Sequence, residues 1–152
     1  MKSFLFSLSI VLWMTGCASL ATQTAAATPA LPIIVDEWTV EMTHSGGIMG
    51  LMRAIKISSG GSYTVTDERA NKTISGELSK DELAKLTEII TNTSYITSEK
   101  PKGVCADCFI YDIEIQGSGK NLAVQLDDIS LPGSGMENLV TFLRGLIDSS
   151  LK

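Results

Sequence analysis

The sequence predicts an α+β fold: a mainly antiparallel sheet of about five to six strands, with two helices packed on one face. Three observations predict it. Short segments alternate apolar and polar residues. The clearest sets Phe109, Tyr111, Ile113 and Ile115 against Asp112, Glu114 and Gln116, which is the period of a half-buried strand. Gly-rich turns separate the segments, so hairpins join them and neighbours run antiparallel. Two later stretches open with Ser-x-x-Glu, at Ser79 and at Ser134, the signature of a capped helix start. One-sided alternation leaves one sheet face for helices and the other for water.

Composition sets the bounds. A chain of 152 residues, 44% hydrophobic and 19% charged, has the balance of a globular protein and the length of one domain. Its formal charge of −5 and its lack of a Lys/Arg cluster exclude the electrostatic footprint of a nucleic-acid binder.

The N-terminus reads as a targeting segment. Lys2 supplies a positive start, and Phe4 to Met14 is an apolar run too short to span a bilayer as a helix. It ends in Met14-Thr15-Gly16-Cys17. Small residues before a Cys resemble the lipobox of bacterial lipoproteins. The resemblance implies a signal peptide over residues 1–16, cleaved before Cys17, and acyl chains on Cys17. Multiple chains anchor to a membrane far better than one. A lipid-anchored cell-envelope protein is expected, and because no Asp follows the Cys to suggest inner-membrane retention, the outer membrane is favoured if the cell is Gram-negative. Residues 17–32 are Ala/Thr-rich with Pro29 and Pro32. They have no apolar period and read as a tether of roughly 20 Å r.m.s. span. The folded domain is then 33–152.

Within that domain, Ile33 to His44 is the first strand, with Trp38, Val40 and Met42 on one face. Arg53 to Ser58 is the second, and Ile55 and Ile57 share its apolar face. Ser59-Gly60-Gly61-Ser62 fits a primed hairpin turn leading into Tyr63 to Thr66. Lys72 to Gly76 is a weak fourth strand. Ser79 and Glu82 cap the first helix, Leu78 and Leu83 staple it, and Leu83, Leu86, Ile89 and Ile90 form its stripe. Tyr95 and Ile96 return to the core, and Ser98 to Gly103 is a surface loop. Cys108 to Gln116 is the next strand and Gly117-Ser118-Gly119 a turn. Leu122, Val124 and Leu126 mark the last strand. Ser134 and Glu137 cap a second helix with the stripe Leu139, Phe142, Leu143 and Leu146, ending near Asp148.

Between the first two strands lies His44-Ser45-Gly46-Gly47-Ile48-Met49-Gly50-Leu51-Met52-Arg53. Four large apolar side chains in a Gly-rich connection allow two readings. They tuck under the sheet as core, or some of them form an outward apolar tip for a partner.

Little else points to chemistry. Cys105-Ala106-Asp107-Cys108 allows a redox pair, a zinc half-site or a local disulfide. A redox pair wants a helix after the motif, and a strand follows here. Zinc wants four ligands, and the chain holds one His and no second Cys pair. Export, with Cys17 taken by lipid, favours a Cys105–Cys108 disulfide. Asp127 and Asp128 read as a solvated pair. One His must serve every catalytic scheme, so the expectation is a protein that is not an enzyme, with no catalytic residues, no metal and no cofactor.

The strand running into Ser45-Gly46-Gly47, the apolar residues up to Leu51-Met52-Arg53 and the Gly-turn hairpin to Tyr63 resemble the emfourin family. So do the Leu-rich helix from Ser79 and the strand Phe109-Ile110-Tyr111-Asp112-Ile113. These are small bacterial inhibitors of thermolysin-like zinc metallopeptidases. The resemblance implies stoichiometric inhibition of such an enzyme, whose family prefers a large apolar residue just after the scissile bond. Ser45, Gly46, Gly47, Ile48, Met49, Gly50, Leu51 and Arg53 are the expected partner-binding residues. Ile48 or Met49 would enter the pocket, with Leu51 and Arg53 at the rim. The alternative is a non-catalytic envelope module that binds an unknown protein partner.

Overall fold

The structure, a computed structural model, describes residues 37–93, 105–117 and 120–152. The predicted signal, Cys17, the tether and the start of the first predicted strand lie outside the described residues. So do the Tyr95–Ile96 return, the Ser98–Gly103 loop, and Ser118 and Gly119.

Six strands form one sheet: β1 (Trp38–Gly46), β2 (Leu51–Ser58), β3 (Ser62–Asp67), β4 (Lys72–Glu77), β5 (Phe109–Gly117) and β6 (Lys120–Asp127). The order is β4-β3-β2-β1-β5-β6, and every neighbouring pair is antiparallel. Two helices complete the fold, α1 (Lys80–Asn92) after β4 and α2 (Glu137–Ser150) after β6. Three hairpins build β1 to β4 outward in sequence. The segment containing α1 then carries the chain from edge strand β4 back to the far side of β1. This makes β1 a central strand, flanked by β2 and β5 along its length.

Alternation decides which side chains meet the helices. Val40, Met42, Ile55, Ile57, Val65, Tyr111, Ile113 and Ile115 come from one sheet face. They form a single buried cluster with Leu86 and Ile90 of α1 and with Leu139, Val140, Leu143 and Ile147 of α2. The other face carries Thr39, Glu41, Thr43, Lys56, Asp112 and Gln116, which are partly or fully exposed. The helix-covered face and the open face are both as the sequence predicts.

Helix α1 begins where its signals place it. The Ser79 hydroxyl accepts from the Glu82 N–H at 3.3 Å, and the Glu82 carboxylate accepts from the Ser79 N–H at 2.9 Å. Leu78 donates its N–H to Gly61 O at 2.9 Å, so the β2–β3 hairpin braces this start. In that hairpin Gly61 takes positive φ, 89°, while Gly60 does not. A primed turn needs its positive φ earlier, at the first or both central positions. The connection is therefore the longer type of hairpin loop that closes on a left-handed glycine.

Helix α2 departs from its expected start. Ser134 and Glu137 do not form a capping box; the helix begins at Glu137, with Met136 in the cap position and no side-chain cap. Gly135 has φ of 80°, which no helical residue adopts, so the helix cannot start before it. Met136 is fully buried, and the turn that seats it in the core sets the start. Ser134 instead accepts from the Met136 N–H at 3.1 Å, and Glu137 accepts from the Gly133 N–H. The buried stripe shifts with it to Leu139, Val140, Leu143 and Ile147, leaving Phe142 and Leu146 partly buried. The helix also runs past Asp148 to Ser150.

Candidate functional site

The Gly-rich stretch is shorter as a loop than the sequence implies. Ser45 and Gly46 belong to β1, and Leu51 and Arg53 to β2, with Gly46 opposite Leu51 and Ser45 opposite Met52. Only Gly47-Ile48-Met49-Gly50 connects them. The Gly50 N–H donates to Gly47 O at 2.9 Å, so Ile48 and Met49 are the two central residues of a closed turn. Gly47 and Gly50 flank them at φ of 70° and 58°, conformations costly for any residue with a Cβ.

Of the two readings, the outward tip is the one observed. Ile48 is 85% exposed and Met49 72% exposed. The tip is held from both sides. Arg69, in the β3–β4 turn, donates to Met49 O, and Gly47 donates its N–H to Cys108 O at 3.2 Å. A Cβ on Gly46 would lie 2.4 Å from Cys108 O, and one on Gly47 would lie 2.8 Å from the Phe109 ring. Those two positions admit only glycine because the segment entering β5 is packed directly against them. In that segment the Cys105 and Cys108 sulfurs sit at bonding distance, with Cα atoms 5.4 Å apart.

Of the two expected rim residues, Arg53 is engaged elsewhere and Leu51 is half-buried beside the turn. Leu51 and Arg53 share the helix-side face with Ile55 and Ile57, by the parity of β2. Arg53 donates to Asp67 of β3 at 2.9 Å and to Asp148 of α2 at 3.1 Å. The Ala70 N–H and this guanidinium together hold the Asp67 carboxyl below its ordinary value. Arg53 is thus a clip between the sheet and α2, not part of the tip. Met52, with the opposite parity, is 43% exposed. Extending the Ile55–Ile57 alternation back along the sequence would have revealed this swap.

Beneath the tip lies a polar cluster. His44 is buried, opposite Arg53 on β2 and Tyr111 on β5. Its ring stacks on Tyr111 at 5.1 Å and tilts against Phe109 at 4.8 Å. Its Nε2 is buried with no hydrogen-bond partner. Burial and the nearby Arg144 pull its pKa from 6.5 to about 4, against opposing pulls from Asp148 and Asp128. The ring is therefore neutral near pH 7 and acts as packing.

Asp127 and Asp128 are not solvated spare carboxylates. Asp127 accepts from the Ser130 N–H at 2.7 Å and from its hydroxyl at 2.7 Å, closing the turn after β6. These bonds hold its carboxyl below the ordinary value. Asp128 accepts from the Phe109 N–H and from the Tyr111 hydroxyl, each at 2.9 Å. Arg144 also donates to that hydroxyl at 3.1 Å and lies over the Phe109 and Tyr111 rings. Burial, and then the bond to Asp128, push the Tyr111 hydroxyl up from its ordinary value. Among the described residues, no group of three or more His, Cys, Asp or Glu is placed to hold a metal. No described helix is long and apolar enough to cross a membrane.

The fold and site together define an α+β protein with an antiparallel sheet and, at one end, an exposed apolar tip on a hydrogen-bonded turn. No family model matches the chain, and no curated protein matches it.

Proposed function

We propose that this chain is a lipid-anchored, non-catalytic inhibitor of thermolysin-like zinc metallopeptidases. It acts by filling the enzyme's apolar pocket with the tip of the β1–β2 loop. The reading rests on the resemblance to the emfourin family, and one observation carries it further. Two large apolar side chains, Ile48 and Met49, stand in water at the centre of a turn closed by glycines. A soluble domain has no structural use for such a pair, which gains free energy only against a partner. Burying each side chain is worth about 1.5–3 kcal/mol. The loop needs little ordering to bind, because its backbone is already fixed by Gly46, Gly47 and Arg69. Apolar anchors in a dry pocket are where interface energy concentrates.

The test is a titration of the purified protein into a thermolysin-like peptidase, with peptide hydrolysis as readout. Activity falls to zero near one equivalent, and replacing Ile48 and Met49 together with Ser weakens inhibition by about a hundredfold or more. A cognate enzyme that stays fully active in excess of folded protein refutes the reading. That result would leave an envelope module with some other protein partner.

A further inference from the structure

The segment that supports the tip also carries the disulfide. Cys105 and Cys108 close a ring of four residues just before β5. Cys105, Ala106 and Asp107 are exposed and Cys108 is half-buried, so the ring stands in water with its inner end against the tip. That inner end is the Cys108 carbonyl. It accepts from the Gly47 N–H at 3.2 Å, and a Cβ on Gly46 would lie 2.4 Å from it. Gly46 pairs with Phe109 at the end of the β1–β5 ladder. Cys108 is therefore the first residue beyond the ladder, level with Gly47.

The peptide unit between Cys108 and Phe109 is a strut. Its carbonyl holds Gly47, and its N–H donates to the Asp128 carboxylate at 2.9 Å. Rotating this unit breaks both bonds. From the Phe109 side β5 fixes it. From the Cys108 side the ring fixes it, by restricting the backbone angles of residues 105–108. Opening the ring returns the freedom that the cross-link withholds. The loss stays local, because β5 is paired along its length with β1 and β6 and buries Tyr111, Ile113 and Ile115. What goes is the Gly47 anchor. The tip keeps its own Gly50-to-Gly47 bond and the bond from Arg69 to Met49 O.

We propose that Cys105 and Cys108 form a redox-sensitive latch on the β1–β2 tip. As a disulfide the pair holds the Cys108 carbonyl on Gly47; as two thiols it lets go. The reductant is a dithiol. Its thiolate attacks Sγ of the exposed Cys105, the S–S bond breaks, and Cys108 leaves as the thiolate. The reductant's second thiol then displaces Cys105 from the mixed disulfide. The reductant ends as a disulfide, and its two protons end on Cys105 and Cys108. Exposed disulfides belong to the labile, regulatory class. The oxidised protein presents an ordered tip, whereas the reduced protein must order it on binding, so any partner of Ile48 and Met49 binds the oxidised form more tightly. The latch acts whatever that partner is and does not rest on the peptidase reading above.

The experiment is hydrogen exchange on the full-length protein, oxidised and after incubation with dithiothreitol. Alkylation of Cys105 and Cys108, read by peptide mass spectrometry, reports the state of the pair. Reduction is expected to speed exchange of the Gly47 N–H by about tenfold to thirtyfold, the freedom a four-residue ring withholds. The Gly61 N–H, bonded to Ser58 O in the β2–β3 hairpin, is expected to keep its rate. Cys105→Ser with Cys108→Ser is expected to exchange like the reduced wild type and to ignore dithiothreitol. Equal Gly47 rates in the two states overturn the latch. Equal acceleration at Gly47 and Gly61 overturns it too, since the pair then supports the whole fold. Cysteines that stay unalkylated in excess dithiothreitol overturn the switch. A Ser variant that still responds to dithiothreitol places the effect elsewhere and overturns the assignment to this pair.

Discussion

Replacing His44 with Phe should flatten much of the pH dependence of this protein's stability, and the structure sets the scale. His44 is the chain's one histidine, buried between Phe109 and Tyr111 with an unpartnered Nε2. In the unfolded chain it takes up a proton near its ordinary value of 6.5, whereas in the folded protein it does so only near 4. Between those values the unfolded state binds more protons, so stability falls as pH falls. Below about 4 both states are protonated and this group's contribution levels off. At about 1.4 kcal/mol per unit the loss is at most about 3.5 kcal/mol. Relaxation and water entry reduce this to an expected loss of about 1–2 kcal/mol. Phe preserves the ring contacts and carries no proton. Urea unfolding of both proteins from about pH 7 to about pH 4.5 measures the difference directly. The depressed carboxyls of Asp67, Glu82, Asp127 and Glu137 lose stabilisation mainly below that window. They are common to both proteins and cancel. Parallel stability curves for wild type and His44→Phe, or a His44 imidazole resonance titrating near 6.5, would refute the reasoning.

Two further outcomes concern the support of the tip. Gly46→Ala should cost more than about 3 kcal/mol, because its Cβ meets Cys108 O at 2.4 Å at a φ of 99°. Gly50→Ala, at φ of 58° with open space around it, should cost only about 1 kcal/mol. Thermal denaturation separates the two, and equal costs would contradict the packing of β5's entry against Gly46. Replacing Cys105 and Cys108 with Ser should cost about 2 kcal/mol or less, as befits a very small loop. The check is unfolding with and without reductant, where a wild-type loss beyond about 4 kcal/mol would show that more than loop closure depends on the pair.

Much of this architecture was legible in the residues. The α+β class and the open and covered sheet faces follow from alternation within single segments, because a strand's period of two is local. The start of α1 follows from Ser79, Glu82 and Leu78, all within one turn of each other. The same local logic misread α2. Ser134 and Glu137 have the spacing of a capping box, but the buried Met136 and the positive φ of Gly135 overrule it. A cap is worth about 1 kcal/mol, while burying a Met side chain is worth more.

At the candidate site the division is sharper. The order of residues alone specifies that a Gly-bounded apolar segment joins β1 to β2. In principle it also determined that Arg53 and Leu51 face inward and Met52 outward, since they continue the alternation of Ile55 and Ile57. Packing between distant segments decided that Ile48 and Met49 project into water. It also decided that Arg53 ends on Asp67 and Asp148, and that Ile110 lies one strand away from Ser45. Each of these depends on pairing between segments far apart in the chain. Periodicity specifies which way a side chain points, and the strand order decides what it meets.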